Sequence, residues 1–135
     1  MTKNPTVHRV YQPDTIDWQI IEFVNQWLDG NVAARYQTQP LAQDWARISK
    51  VQEELGEAVQ AFIGFTGQNP HRGVTNDLDD VLEELADTAI TAIFAIQHFT
   101  GNSSQTKSLI RSKLEKVYQR ALKEGEFPDE RGSGR

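Results

Sequence analysis

The 135-residue chain contains no cysteine, so disulfides and thiolate metal sites are excluded and nothing points to an oxidising compartment. It has no apolar run of membrane-spanning length. Its start, MTKNPTVHRVYQPDT, lacks the apolar centre of a secretory signal. The expectation is a cytoplasmic protein without a membrane partner. Strand-like alternation and internal repeats are also missing. Histidine is scarce, and none of His8, His71 and His98 has a glutamate three residues before it. That argues against a carboxylate-bridged di-iron bundle, which uses Glu-x-x-His pairs.

Basic residues are scarce where acidic ones are dense. Through Asn102 there are 14 acidic against 6 basic residues, and from Ser103 onward 5 against 8, within a net charge of −5. An acidic body argues against binding a nucleic-acid duplex, which needs a basic face. A small anion remains possible, held through a cation on the acidic side and by basic residues of the last segment.

What the chain does have is helical periodicity. Residues 1–13 read as a flexible arm, residues 14–125 as a single all-α domain and residues 126–135 as a disordered tail. Asp14 or Thr15 is placed to cap a first helix with apolar positions at Ile16, Ile20, Phe23, Val24, Trp27 and Leu28, stopped by Gly30. Pro40 suits the first turn of a second helix reaching about Phe65. Its apolar set is Trp45, Ile48, Val51, Leu55, Val59 and Phe62, which reads as a core face. Gly and Pro make residues 64–73 a loop. Thr75 or Asn76 is placed to cap a third helix to Phe99, ended by Gly101 and Asn102. Its apolar positions include Leu78, Val81, Leu82, Leu85, Ala89, Ile93 and Ile96. The second half of this helix is apolar on nearly every side and needs covering neighbours, some of them from a second copy in so short a chain. Ser103 or Ser104 opens a fourth helix ending near Gly125. The expected architecture is a four-helix, bundle-like subunit.

Two of these helices carry clustered acids. Glu53, Glu54 and Glu57 lie on the second. Asp77, Asp79, Asp80, Glu83, Glu84 and Asp87 fall within eleven residues without Lys or Arg at the start of the third. Residues three apart on a helix are neighbours, so Glu54 with Glu57 and Glu84 with Asp87 each pair two carboxylates, and side-by-side packing would bring four together. Oxygen-only ligation of this kind suits Mg²⁺ or Mn²⁺. Asp87 sits at the edge of the apolar half, where an unpaired carboxylate would be costly. A cation there resolves the conflict, as would a protonated or lysine-paired Asp. Lys50, one turn before Glu54, can offset charge or touch phosphate. Arg72 and His71 in the loop can reach a phosphate. Trp27 reads either as core or as an aromatic face for a nucleobase, and Trp45, Tyr36, His71 and Asn69 are further unranked pocket candidates.

The pair Glu54-x-x-Glu57 and Glu84-x-x-Asp87, 26 residues apart, resembles the all-α nucleoside triphosphate pyrophosphohydrolases of the MazG and dCTP pyrophosphatase type. In that family KxxEExxE and EExxD supply the metal ligands, matched here by Lys50, Glu53, Glu54, Glu57, Glu83, Glu84 and Asp87 between about Asp44 and Phe99. The resemblance implies a homodimer or tetramer that hydrolyses a nucleoside triphosphate to monophosphate and pyrophosphate with Mg²⁺. It gives the metal to Glu54, Glu57, Glu84 and Asp87, with Glu53 sharing ligation or water activation. One signature departs. Aligning Lys113 with the lysine of a fourth-helix Lys-x-x-x-Asn pattern puts Val117 where asparagine would stand, which leaves the substrate contact of Lys113 and Lys116 open. The competing reading is a non-catalytic helical oligomerisation module whose acidic patch binds a cation or a basic partner.

Overall fold

The computed structural model describes residues 16–35 and 40–125, with the side chains of residues 32–35 left aside. The expected arm, tail, Asp14 and Thr15 caps and Tyr36 lie outside the described residues. Within them the chain is helical throughout, with no strand: α1 is Trp18–Arg35, α2 Pro40–Thr66, α3 Leu78–Thr100 and α4 Ser103–Glu124.

Local chemistry sets the ends. Asp17, not an earlier residue, caps the start of α1, its Oδ1 accepting from Gln19 N at 3.1 Å and Ile20 N at 3.2 Å. The helix then continues through Gly30, contrary to the stop expected there. A single helical glycine costs only about 1 kcal/mol against alanine. That penalty is too small to end a helix by itself, and Asn25 and Asp29 just before Gly30 are tied to α2 and α3. Asp77, rather than Thr75 or Asn76, caps α3. Asp77 accepts from Asp80 N at 2.9 Å and Asp80 accepts from Asp77 N at 3.0 Å, a reciprocal box. Gly101, with φ +64°, closes α3 in the left-handed region where a side chain would be strained. Asn102 caps α4 by accepting from Ser104 N and Gln105 N.

α2 and α3 form an antiparallel hairpin. Gly64 meets Thr75 and Asn76, Glu54 meets Glu84 and Asp87, Arg47 meets Phe94, and Asp44 meets His98, so the contacts run in opposite chain directions. α1 lies across both helices, and α4 packs chiefly on α3. The α3–α4 corner is pinned by polar side chains. Thr106, fully buried, donates to Gln97 Oε1 at 2.7 Å, and Thr100 Oγ1 lies 2.8 Å from Thr106 Oγ1.

The packed interior is small. Its buried apolar residues are Ile21, Ala58, Ala61, Val81 and Ala95. The face read from sequence as the core of α2 is instead largely exposed: Trp45, Ile48, Leu55, Val59 and Phe62 point away from α3, and Ala58, Ala61 and Glu54 take the interface. Leu78, Leu82 and Leu85 are likewise exposed on α3. Small residues at the crossing let the two backbones approach closely, and among the described residues no further helix covers the bulky stripes.

Candidate functional site

The antiparallel register of α2 and α3 brings the acids together. One carboxylate oxygen each from Glu54, Glu84 and Asp87 lie within 4.8 Å of one another. Glu54 is buried, Glu84 half-buried and Asp87 exposed. The reading of Asp87 as a carboxylate at a costly apolar edge is therefore corrected, because its side chain is exposed to solvent. Glu57 stands outside this trio. It is exposed and lines a cavity together with Glu84. Removal from water, then the negative charges of Glu57, Asp87 and Glu54, hold the Glu84 carboxyl above its ordinary value, and a hydrogen bond with Glu57 adds to the shift.

Lys50 is the nearest counter-charge. Its Nζ lies 2.7 Å from Glu54 Oε1 and 3.0 Å from Glu53 Oε1, and these hydrogen bonds push the ammonium group's pKa upward. Glu53 is exposed and engaged with Lys50, away from the trio. Glu83 is exposed.

Two cavities flank the cluster. The first, about 340 Å³, is polar. Glu57 and Glu84 line it, and the loop between α2 and α3 supplies Asn69, Arg72 and Asn76. Gly67 and Gly73, both with φ near +65°, shape this loop, and Thr75 N donates to Gly64 O at 2.9 Å to anchor it. The second, about 380 Å³, is mostly apolar and lies between α1, α2 and α3. Trp27, Leu28 and Phe94 form its walls, with Arg47, Lys50 and Thr91 completing them. Both volumes fall in the usual range for small-molecule sites. Lys50 stands one helical turn before Glu54, and Thr91 one turn after Asp87. The apolar cavity therefore begins about 5.4 Å along the helices from the acids.

Trp27, read from sequence as core or as an aromatic face, is 61% exposed at the second cavity, which corrects the core reading. Trp45 is also exposed, and it lines neither cavity; His71 is exposed in the loop and lines neither. Lys113 is exposed on α4 and lines neither.

A polar network escaped sequence reading. His98 Nδ1 lies 2.7 Å from Asp29 Oδ1 and its Nε2 2.8 Å from Asp44 Oδ1, tying α3 to α1 and α2. Arg47 donates through Nη2 to Asn25 Oδ1 and to Phe94 O, and its Nε lies 3.6 Å from Asp29 Oδ1. Burial holds the Arg47 pKa below its ordinary value, against the opposing pull of Asp29. These partners are 18 to 69 residues apart in the chain, so no local spacing signals them.

No family model, no curated protein and no solved structure matches the chain. Fold and site define it as an all-helical chain with a carboxylate cluster between a polar and an apolar cavity.

Proposed function

We propose that the protein is a Mg²⁺-dependent nucleoside triphosphate pyrophosphohydrolase, acting as a homodimer or tetramer in nucleotide pool control. The observation that carries this reading is the order of features along α2 and α3. An apolar cavity with an aromatic wall, a lysine, a trio of carboxylates and a polar cavity with an arginine follow one another. A molecule with an aromatic ring at one end and several phosphates at the other matches that order. The resemblance of Lys50-x-x-Glu53-Glu54-x-x-Glu57 and Glu83-Glu84-x-x-Asp87 to the MazG-type motifs supports the same reading.

The residues fit a divalent cation. Their donors are all hard oxygens, and their 4.8 Å spread is near the about 4 Å between opposite oxygens on Mg²⁺, so small side-chain adjustments suffice. The raised Glu84 carboxyl is a second sign, because removal from water and then the charges of Glu57, Asp87 and Glu54 disfavour its ionised form, and a cation favours that form. Glu54, Glu84 and Asp87 would hold the ion, with Glu57 next in reach; Mn²⁺ suits the same donors. When bound, the cation supplies charge neutralisation for the phosphates and lowers the pKa of water.

The chain's own residues do the rest. Trp27 and Phe94 enclose the base, Lys50 screens the acids at the cavity border, and Arg72 meets the terminal phosphates. Glu57, outside the trio but beside it, takes the proton of the attacking water. Water oxygen bonds to phosphorus, the P–O bond between the α and β phosphates breaks, and pyrophosphate leaves. Lys113 has no support as a contact within one chain and could serve only from a second copy.

The test is a panel of nucleoside triphosphates with Mg²⁺, with pyrophosphate and orthophosphate assayed separately. Pyrophosphate supports the reading, and orthophosphate alone indicates a different phosphatase. No release from any nucleotide favours the alternative of a non-catalytic oligomerisation module with a cation-binding patch. The exposed apolar stripes favour that alternative, and so does the exposure of Asp87, since a partner-binding patch keeps its acids in solvent.

A further inference from the structure

α4 is packed at one end only. Ser103 and Thr106 at its start are buried, whereas every residue from Arg111 to Arg120 is exposed. Helices in proteins owe most of their stability to packing an apolar face, and a stretch this short is marginal in water by itself. That half has such a face. Ile110, Leu114, Val117 and Ala121 recur at spacings of four, three and four, which is the seam of a helix that pairs with another. Lys113, Lys116, Arg120 and Lys123 keep the same rhythm one residue away, so a basic row runs beside the apolar one. None of these four bases forms an ion pair among the described residues.

The complement of this face lies on the first half of α3. Leu78, Leu82 and Leu85 share one side, and Asp79 and Glu83 each follow one of these leucines by a single residue. Both acids are exposed, are unpaired among the described residues and stand outside the trio of Glu54, Glu84 and Asp87. The leucines, with Leu114 and Val117, are between 47% and 67% exposed. The two rows match in length, since Leu78 to Leu85 and Leu114 to Ala121 each span seven residues, about 10.5 Å of helix. Within one chain they do not meet. The bonds of α4 to α3 are at Gln97 and Thr100, at the other end of α3 from these leucines.

We propose that the outer half of α4 docks on the first half of α3 in a second copy of the chain, apolar row on apolar row and basic row beside acids. A two-fold axis makes the contact reciprocal, so each dimer has it twice. Two α4 helices paired with each other would instead set one basic row against another. The 14 acidic against 6 basic residues through Asn102 oppose a nucleic acid or an anionic bilayer as the occupant. The inference takes up the homo-oligomer of the proposed function and needs none of its chemistry.

The experiment reverses the charges on each side of the contact. One variant carries Lys113→Glu and Lys116→Glu, the other Asp79→Lys and Glu83→Lys. All four positions are exposed, so far-UV circular dichroism should stay at the wild-type value. By sedimentation equilibrium, each variant alone should self-associate with a Kd raised at least about tenfold, because like charges then face each other at both contacts. An equimolar mixture should return to within about threefold of the wild-type Kd, since in the mixed pair every acid again meets a base. Self-association unchanged in either variant alone, or a weakening that mixing does not repair, overturns the proposal. So does binding of the wild type to phosphatidylserine vesicles or duplex DNA at 150 mM salt that Lys113→Glu with Lys116→Glu abolishes, which would give the helix to a polyanion. Repair by mixing, together with no pyrophosphate from any nucleotide, would keep this contact and remove the hydrolase reading.

Discussion

Glu84 faces three other carboxylates, Glu57, Asp87 and Glu54, and partial burial removes some of the water that would screen them. Its folded pKa is raised, so between its ordinary value of 4.5 and that higher value the folded chain binds more protons than the unfolded one. Stability from this group therefore rises as pH falls through that window, is flat below it, and is lowest once Glu84 is fully ionised. With EDTA present, the melting temperature of the wild type minus that of Glu84→Gln should rise as pH is lowered from neutrality to 4.5, the ordinary value of the group. Saturating Mg²⁺ should flatten the difference, since the ion replaces the proton. A difference that does not vary with pH in EDTA would show that the acids do not press on one another. The neighbouring acids have a separate test. Glu57→Ala or Asp87→Ala should lower turnover by at least about 100-fold, the scale of a lost proton acceptor or ligand. Far-UV circular dichroism should be unchanged, because both side chains are exposed. Near-normal turnover in both variants would remove the proposed chemistry.

At the scale of elements, the close approach of α2 to the loop before α3 depends on one glycine. A Cβ on Gly64 would collide with Asn76 Oδ1 and Thr75 Oγ1, and the backbone there is tied by Thr75 N to Gly64 O. Gly64→Ala should destabilise the chain by about 1–3 kcal/mol, the usual cost of overpacking, and should displace Asn76 from the polar cavity. Gly56→Ala on the same helix meets nothing within 4 Å and should stabilise it by about 0.5–1 kcal/mol. Thermal melts of the pair check both signs. These elements differ in how far the sequence announces them. The helices, the Pro40 start, the Gly101 stop and the pairing of Glu84 with Asp87 are legible because caps and three-residue spacing are local. The meeting of these acids with Glu54, and the place of Glu57 outside that trio, depend instead on how α2 packs on α3. The run of α1 past Gly30 is not legible, because one glycine inside a helix is only a weak stop. The Arg47 and His98 network is invisible because its partners lie far apart in the chain. Periodicity correctly put Ile48, Leu55, Val59 and Phe62 on one face, and it misjudged what that face meets. A period says which residues share a side, and only the tertiary arrangement says what covers them.

For the whole molecule, two properties follow from a surface that is acidic in one region and apolar in stripes. A cation that binds only the folded chain stabilises it by about 2.7 kcal/mol at a hundredfold excess over Kd. Mg²⁺ should accordingly raise the melting temperature by several degrees above Na⁺ at matched ionic strength, and equal melts in the two salts would count against a dedicated site. The apolar stripes lead to assembly. Ile16 just before α1, Ile20, Phe23 and Trp27 on α1 and Trp45, Ile48, Leu55, Val59 and Phe62 on α2 are between 46% and 70% exposed, whereas among the described residues the large apolar members of the buried core are Ile21 and Val81. Covering such a side chain contributes about 1.5–3 kcal/mol. Across a two-fold interface each position counts twice, so placing a charge at Val59 or Phe23 should weaken a dimer by at least about 100-fold in Kd. Sedimentation of the wild type should give at least twice the chain mass. Val59→Glu and Phe23→Lys should show whether α2 or α1 forms the contact, by which one releases single chains. A wild type that sediments as a single chain at every concentration would mean that the stripes are covered by something other than a second copy, and the proposed homo-oligomer would fall.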